Sequence, residues 1–250
     1  MKEDQRPEPK PRQYPQLWQA YQWWDEIMQM RKKHTLRISS IEAGKSQMDL
    51  QFELDMIDAM QLDAMVKNTS KLMASFGKEV PVWKWFTSIK GIGDHTAAKV
   101  LALIDDISTF ETTSQLWRYS GYAVIDGGAE RNKKGEKSHF NRRLKSEMYL
   151  IGDQFIRHQV PGYVDIYYSE KSRIRTLHPE PEKTTSSAWP TNYTDSHVHR
   201  MAMRKMVKIF LNHLWVEWRT AEGYEITEPY AIAHLKNHTR YIEALEVSNG

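Results

Sequence analysis

The sequence contains no cysteine, which excludes disulfide bonds and thiolate metal sites. No apolar run approaches the roughly 20 residues needed to cross a bilayer. The first residues, Met-Lys-Glu-Asp-Gln-Arg-Pro, lack the apolar centre of a secretory signal peptide. Segments with the alternating pattern of β-strands are also scarce. We therefore expect a mainly α-helical protein that resides in the cytoplasm and makes no membrane contact.

Spacings typical of metal sites are missing as well, although the chain has ten histidines. His197 and His199 follow Asp195, but residues two apart on a helix do not face each other. A solvated or capping role is therefore favoured for them. Asp105 and Asp106 could bind Mg²⁺, yet adjacent carboxylates at a helix end usually face water. The sequence predicts no metal and no cofactor.

Charge is distributed unevenly along the 250 residues, although the net charge is only +3. Residues 42 to 63 carry six acids and one lysine, whereas residues 131 to 145 carry seven bases and one acid. The hydrophobic content of 40% is sufficient for a real core. The charge pattern therefore indicates a polyanionic partner at one region of the chain and solvent or protein at the other.

The order of helical patterns predicts the domain organisation. Two long apolar stripes separated by a break at Gly44 predict an antiparallel, coiled-coil-like arm that packs in a core or against a second copy. Further helical patterns recur near residues 144 to 155 and 196 to 220. The predicted parts are a disordered proline-rich tail at 1–15, the helical arm at 16–79, a helical domain at 80–220 with a loop or insertion at about 176–195, and a C-terminal extension at 221–250.

The most informative motif is the stretch from residue 89 to residue 98, Ile-Lys-Gly-Ile-Gly-Asp-His-Thr-Ala-Ala. Gly91 and Gly93 can adopt positive φ, and without a Cβ they allow a phosphate oxygen to approach the backbone. A helix that begins here points its unpaired N–H groups at the same place. This pattern is typical of a helix-hairpin-helix, which binds nucleic-acid backbone without reading sequence.

A packing turn between two helices is the alternative interpretation of this motif. Asp94 favours that alternative, because a carboxylate at a helix start occupies the position that a phosphate would take. Lys90 and Lys99 favour phosphate binding. The basic segment at 131–145 could likewise be a solvated loop, but its place between the hairpin and an arginine-bearing helix favours binding. The predicted contacts are Lys90, Gly91, Ile92, Gly93, His95, Thr96, Lys99, Arg131, Lys133, Lys134, Lys137, Arg142, Arg143 and Lys145.

Several short motifs occur in one order and at one spacing: Gly91-Ile-Gly93, Thr96-Ala-Ala98, Asp106-Ile-Ser-Thr-Phe110, Gln115-Leu-Trp-Arg-Tyr-Ser-Gly121, Lys133-Lys-Gly135 and Asn141-Arg-Arg-Leu144. In this respect roughly residues 50 to 215 resemble the C-terminal half of a family of insertion-sequence transposases. Members of that family join a RuvC-like DEDD nuclease domain to a helical arm and a serine-bearing transposase domain. The resemblance implies a helical arm, a helix-hairpin-helix domain and a role on DNA.

Two departures from that family bear on catalysis. The nuclease domain would precede the arm, where this sequence has a proline-rich tail. The family's nucleophilic serine would lie in the interval from Tyr122 to Glu130, which contains no serine. Ser120 falls in the preceding helix and Ser138 lies beyond the lysines. Because a serine recombinase needs the attacking oxygen, we expect no strand transfer by this chain alone and assign no catalytic residue.

The sequence therefore predicts a transposase-derived protein that grips the backbone of duplex DNA and is associated with the nucleoid, with RNA left open as a ligand. A homodimer through residues 16–76 is expected. One alternative is a component of an active transposition or recombination system whose nuclease is supplied by another polypeptide. The other is a helical structural protein that no longer binds nucleic acid.

Overall fold

The computed structural model describes residues 11–125, 128–130, 135, 138–179 and 193–227. Most of these residues are helical, which confirms the predicted mainly α-helical fold class. Two strands of two residues each, β1 (Val124–Ile125) and β2 (Gly128–Ala129), pair antiparallel. The helices are α1 (Pro15–Glu42), α2 (Leu50–Ala59), α3 (Leu62–Gly77), α4 (Trp83–Ser88), α5 (Asp94–Ile104), α6 (Thr113–Tyr119), α7 (Arg142–Arg157), α8 (Tyr163–Leu177) and α9 (Asp195–Ala221), with a 3₁₀ turn at Ile107–Thr109.

The helices belong to two compact units. One contains the described residues up to Val80 together with Asp94–Asp106, and so consists of α1, α2, α3 and α5. The other contains Pro81–Gly93 and the described residues from Ile107 onward. The second helix of the sequence motif, α5, therefore lies in a different unit from α4. The domain boundaries predicted from the sequence stay a prediction.

In the first unit, α2 and α3 both pack against α1. Arg31 Nε lies 2.6 Å from a carboxylate oxygen of Asp63, and His34 Nδ1 lies 2.5 Å from Glu53 Oε2. The sequence pattern suggested one long second helix, but Gln61 has φ of +48° and separates α2 from α3. This break gives α3 its own start, where the side chain of Leu62 is buried.

Two further features define this unit. Asp49 is the N-cap of α2, because its Oδ1 accepts a hydrogen bond of 2.8 Å from the backbone N–H of Phe52. The predicted arm also packs against more than its own helices, since α5 contacts both α1 and α3. Every residue of α5 from Ala97 to Ile104 is buried, so this largely apolar helix is part of the core.

The second unit is organised around α9, which contacts α6, α7 and α8. Trp215 Nε1 donates a hydrogen bond of 2.7 Å to the carbonyl of Phe110, and this bond fixes the C-terminal part of α9 to the chain before α6. Two predicted apolar faces are confirmed as buried: Leu144, Met148, Ile151 and Phe155 on α7, and Met203, Val207, Phe210, Leu214 and Trp218 on α9.

An ion-pair cluster joins α8 to α9. Glu170 of α8 is only 7% exposed and accepts hydrogen bonds of 2.6 and 2.9 Å from Arg173 and of 2.7 Å from Lys205. Burial alone would raise the pKa of Glu170, but the bonds from both cations outweigh burial and lower that pKa. The charge of Lys205 is therefore engaged within the fold. Among the described helices, none has a segment long and apolar enough to span a membrane.

Candidate nucleic-acid interface

The glycine turn between α4 and α5 is partly covered. Gly91 has φ of +89°, and the N–H of Ile92 donates a hydrogen bond of 3.0 Å to the carbonyl of Ile89. A Cβ on Gly91 would stand 3.2 Å from Cδ2 of His158, at the C-terminal end of α7. Ile92 is buried, whereas Lys90 is exposed. The turn therefore packs on α7 and presents its Lys90 side to solvent.

Gly93 differs from the expectation of positive φ. Its φ is not positive, and a Cβ built on it would meet no atom within 4 Å. The residue is exposed, so the turn is open at this position. Only Gly91 needs the conformational freedom of glycine here. At Gly93 the missing Cβ leaves open space above the backbone.

The three predicted contacts on α5 lie in the first unit. The ring of His95 packs edge-on against Trp24 with 4.7 Å between ring centroids. Burial, and to a smaller extent the charge of Lys99, lowers the pKa of His95 from 6.5 to about 4, so the imidazole is neutral at pH 7. Lys99 is 8% exposed, and its Nζ lies 5.2 Å from the centroid of the Trp24 ring. Thr96, in the first turn of α5, is half-buried.

The basic segment is described only in part. Arg142 and Arg143 are exposed in the first turn of α7, behind the N-cap Asn141, whose Oδ1 accepts from the N–H of Arg143 at 3.1 Å. Cations at a helix N-terminus oppose the helix dipole, so these arginines do not stabilise α7 through that dipole. The predicted contacts Arg131, Lys133, Lys134 and Lys137 lie outside the described residues.

The glycine turn and the arginine pair lie at opposite ends of α7. Gly91 faces Gln154 and His158 near the C-terminus, and Arg142 begins the helix. With a rise of about 1.5 Å per residue, the two groups are separated by about 20 Å along the axis. They do not surround one phosphate. A ligand that contacts both must extend along the helix.

Lys145, the last of the predicted contacts, lies beside side chains that the sequence did not predict as contacts. Lys145 of α7 and Arg200 and Arg204 of α9 line a cleft of about 530 Å³, together with His197, Met201, Ala129 and Glu130. Lys145 Nζ donates a hydrogen bond of 2.8 Å to the carbonyl of Glu130. Arg204 Nη1 donates to the carbonyls of Tyr122 and Ala123 at 3.5 and 3.4 Å. These bonds hold the chain before and after the β1–β2 hairpin at the wall of the cleft.

A smaller hollow of about 190 Å³ shares the three cations of that cleft. Tyr122, Tyr149 and Met203 complete its lining. Tyr122 is 5% exposed, while Tyr149 is 47% exposed. We call the two hollows together the α7–α9 cleft. It has a cationic wall on α9 and an exposed aromatic ring on α7.

The serines on either side of the interval from Tyr122 to Glu130 both donate hydrogen bonds to the backbone. Ser120 is fully buried and donates to the carbonyl of Trp117 at 3.2 Å. Ser138 donates to the carbonyl of Phe140 at 3.0 Å. Burial raises the pKa of the Tyr122 phenol, and the nearby charge of Arg204 offsets only part of that rise. The Tyr122 oxygen is therefore a poor nucleophile at neutral pH.

The residues considered as metal ligands have other partners. Asp105 pairs with Arg12 at 3.6 Å and accepts a hydrogen bond of 3.3 Å from the N–H of Tyr14. The ring of His197 stacks on Tyr193 with 4.5 Å between centroids. His199 Nδ1 and the hydroxyl of Tyr167 are joined by a hydrogen bond of 2.9 Å. The two histidines are thus half-buried beside tyrosines, and no group of three ligating side chains occurs among the described residues.

Comparison with known proteins bears on the segment that contains α4 to the start of α8. A family model described as the Transposase IS116/IS110/IS902 family matches residues 84–168, about a third of the chain. This match supports a relationship of that segment to insertion-sequence transposases. A search of curated proteins found no match. The matched segment includes the glycine turn, the arginine pair and Lys145, whereas Arg200 and Arg204 lie beyond it.

The positions of the three cations of the cleft explain which of them could be predicted from the sequence. Lys145 belongs to a visibly basic segment, so composition was enough to select it. Arg200 and Arg204 are four residues apart and lie away from the apolar stripe of α9. That spacing is also the pattern of any solvated helix face. Only the approach of α7 and the hairpin distinguishes them from ordinary surface arginines.

Proposed function

We propose that this protein is a transposase-related nucleic-acid-binding protein that grips the backbone of duplex DNA and performs no strand transfer of its own. The family match supports a transposase-related role. The observation that carries nucleic-acid binding is the convergence of Lys145, Arg200 and Arg204 on one cleft beside the hairpin, and the duplex contact itself is assigned to the glycine turn and the arginine pair. Cations from separate helices that line one concave surface produce a focused positive potential that attracts a polyanion. Cations on an ordinary solvated helix face do not converge in this way.

The positions of the turn and the arginine pair support a duplex as the ligand. Successive phosphates on one strand of DNA are separated by about 3.4 Å along the axis, so about 20 Å corresponds to roughly six base steps. A duplex that lies along α7 would meet Lys90 and the turn at one end. It would meet Arg142 and Arg143 at the other. Backbone contacts of this kind position DNA without reading its sequence.

The lack of intrinsic catalysis in this proposal rests on the interval from Tyr122 to Glu130. No serine occurs there. The bordering hydroxyls of Ser120 and Ser138 donate to backbone carbonyls. Neither carbonyl can act as the general base that a serine nucleophile needs in order to lose its proton. Incubation with intact duplex DNA and Mg²⁺ should yield no covalent protein–DNA adduct, because no serine oxygen displaces a sugar hydroxyl from a phosphodiester. An adduct formed by the chain alone would contradict this part of the proposal.

A homodimer through the helical arm also belongs to the proposal. Large apolar side chains are exposed on the arm, with Trp23 at 63%, Leu36 at 60% and Phe52 at 59%. Trp23 and Met30 are seven residues apart on α1 and therefore share a face. Exposed apolar stripes of this kind are typical of surfaces that pair with another helix. A second copy would bring two DNA-binding units together.

Charge reversal at the arginine pair tests the binding proposal. The variant Arg142→Glu/Arg143→Glu is compared with Lys32→Glu/Lys33→Glu, which makes the same change in charge at two exposed positions of α1. If the wild-type protein neutralises about six phosphates, log K should fall with log[salt] at a slope near −5. The arginine variant should lower duplex affinity at least about tenfold for every sequence and reduce the slope by about two.

Two results would contradict the proposal. The first is a wild-type salt slope indistinguishable from zero, which would favour a structural protein that does not bind nucleic acid. The second is equal loss of binding in the arginine and lysine variants, since that would reflect net charge and not a site. Circular dichroism of both variants establishes that the helices are intact.

A further inference from the structure

We propose that the α7–α9 cleft holds an unpaired nucleotide whose base carries an amino group, so that the preferred ligand is duplex DNA interrupted by a single-stranded stretch. The inference deepens the proposed function and rests on it, because it assigns the cleft a part of the DNA that the turn and arginine pair would not contact. Four features of the cleft carry it.

The first feature is the exposed ring of Tyr149. It lies four residues after Lys145 on α7, so the two side chains share one face of the helix. The ring is 47% exposed at the wall of the cleft, whereas the ring of Tyr122 is buried beneath the guanidinium of Arg204, 5.8 Å away. An exposed aromatic face beside cations is how proteins hold unpaired bases. Paired bases stay stacked inside a duplex and do not reach such a ring.

The second feature is the charge on α9. Arg200 is exposed and donates from Nε to the carbonyl of Ser196 at 3.1 Å, and it forms no ion pair within the described part of the chain. Arg204 lies one turn later on the same side. Like charges four residues apart destabilise a helix slightly, and a phosphate between them would remove that cost. Lys145 faces the same space from α7.

The third feature is the carboxylate of Glu130. It lines the cleft, and its Oε2 is buried without a hydrogen-bond partner among the described residues. A carboxylate repels phosphate, so its position argues against a plain anion site. It does suit a donor, and the exocyclic amino group of cytosine or adenine is such a donor. The wall near Glu130 would therefore face the base, and the arginines would face its phosphate.

The fourth feature is size. The larger hollow, at about 530 Å³, falls within the range of roughly 300 to 1000 Å³ typical of pockets that hold small molecules. Its concave shape between two helices and a hairpin admits one nucleotide and excludes a duplex, which needs a surface that follows its groove. A single nucleotide that leaves the stack matches both the volume and the chemistry.

The test compares two fluorescent probes of equal length and sequence by anisotropy. One is a continuous duplex, and the other carries a short gap of unpaired cytosines in its middle. The wild-type protein should bind the gapped probe about tenfold more tightly. Tyr149→Ala should weaken binding of the gapped probe about five- to tenfold, toward the affinity for the continuous duplex, and leave the continuous duplex unchanged.

Tyr168→Ala is the matched control, because Tyr168 is 48% exposed on α8 and does not line the cleft. It should leave both affinities unchanged. When thymines replace the unpaired cytosines, wild-type affinity should fall by about fivefold, and Glu130→Ala should abolish this difference.

The outcomes separate this inference from the proposed function. If the wild-type protein binds neither probe, the proposed function itself fails. If it binds both probes equally, or if Tyr149→Ala behaves as Tyr168→Ala does, duplex binding stands and the nucleotide site is overturned. Equal affinity for cytosine and thymine gaps would overturn the amino-group assignment made to Glu130.

Discussion

Gly152 of α7 lies directly against Val207 of α9, so that an added Cβ would stand 2.8 Å from the Val207 Cγ2 atom. Met203 Cγ would be 3.2 Å away on the other side. Glycine inside a helix ordinarily costs stability relative to alanine. Here the missing side chain lets two helices approach closely enough to close the core of the second unit.

We therefore expect Gly152→Ala to destabilise the protein. The valine methyl is stiff and the interior is close-packed, so the added atom should cost about 1 to 3 kcal/mol in the free energy of unfolding despite the better helix propensity of alanine. Urea denaturation followed by circular dichroism measures this change. An unchanged or higher midpoint for Gly152→Ala would show that α7 and α9 can separate without cost.

Helix periodicity explains how much of the fold could be predicted. The stripes of α7 and α9 repeat over several turns, so their buried faces followed from spacing alone. The break at Gln61 could not be predicted, because glutamine at φ of +48° has no sequence signature comparable to glycine. The packing of α5 on α1 and α3 was also missed, since an apolar helix carries no label for its partner.

His95 should make the protein less stable at acidic pH. Its pKa is about 4 in the fold and 6.5 ordinarily, so between these values the unfolded chain binds more protons than the folded chain does. Stability is therefore retained above pH 6.5 and is lost as the pH falls toward 4. Because the ring is only partly buried, solvent screening reduces the effect to about 1 to 2 kcal/mol.

Denaturation of the wild type and of His95→Gln at about pH 7 and about pH 5 checks this expectation. Glutamine does not titrate, so the loss of stability on acidification should be smaller in the variant. His139→Gln, at an exposed position, should leave the pH dependence as it is in the wild type. If His95→Gln and the wild type lose stability in parallel, the imidazole is not held neutral by its packing on Trp24.

The two glycines of the turn should respond differently to alanine. Gly93→Ala introduces a Cβ into open space at an ordinary φ, so the fold should be kept and stability should rise by up to about 1 kcal/mol. Gly91→Ala requires alanine at φ of +89° against His158 and should destabilise.

The duplex affinity of Gly93→Ala distinguishes a phosphate-binding turn from a turn that only packs two helices. If a phosphate approaches the exposed backbone there, the new methyl group should weaken duplex affinity roughly three- to tenfold while the thermal midpoint stays high. Unchanged affinity in this well-folded variant would favour a packing turn, and the arginine pair would then carry the duplex contact without it.

The sequence predicted the parts of the candidate site that a run of bases or a recognisable motif marks. Lys145 stood within a run of bases, and the family-like motifs pointed to the glycine turn. His95 and Lys99 were selected by their nearness to that turn along the chain, but a helix has two sides, and both residues face Trp24. Periodicity cannot specify which neighbour covers a face, so the assembly of the cleft required the tertiary structure.

The last prediction concerns association of two copies through the helical arm. Trp23 on α1 is 63% exposed on the face it shares with Met30, and Leu177 on α8 is 61% exposed, which makes them positions of matched exposure. If the arm pairs with a second copy through that face, Trp23→Glu places a charge in the apolar interface and should raise the dimer dissociation constant at least about tenfold. Leu177→Glu should leave the association unchanged. Sedimentation velocity over a range of concentrations measures both variants against the wild type. A monomeric wild type at every concentration, or equal behaviour of the two glutamate variants, would mean that the exposed face of α1 is not a dimer surface.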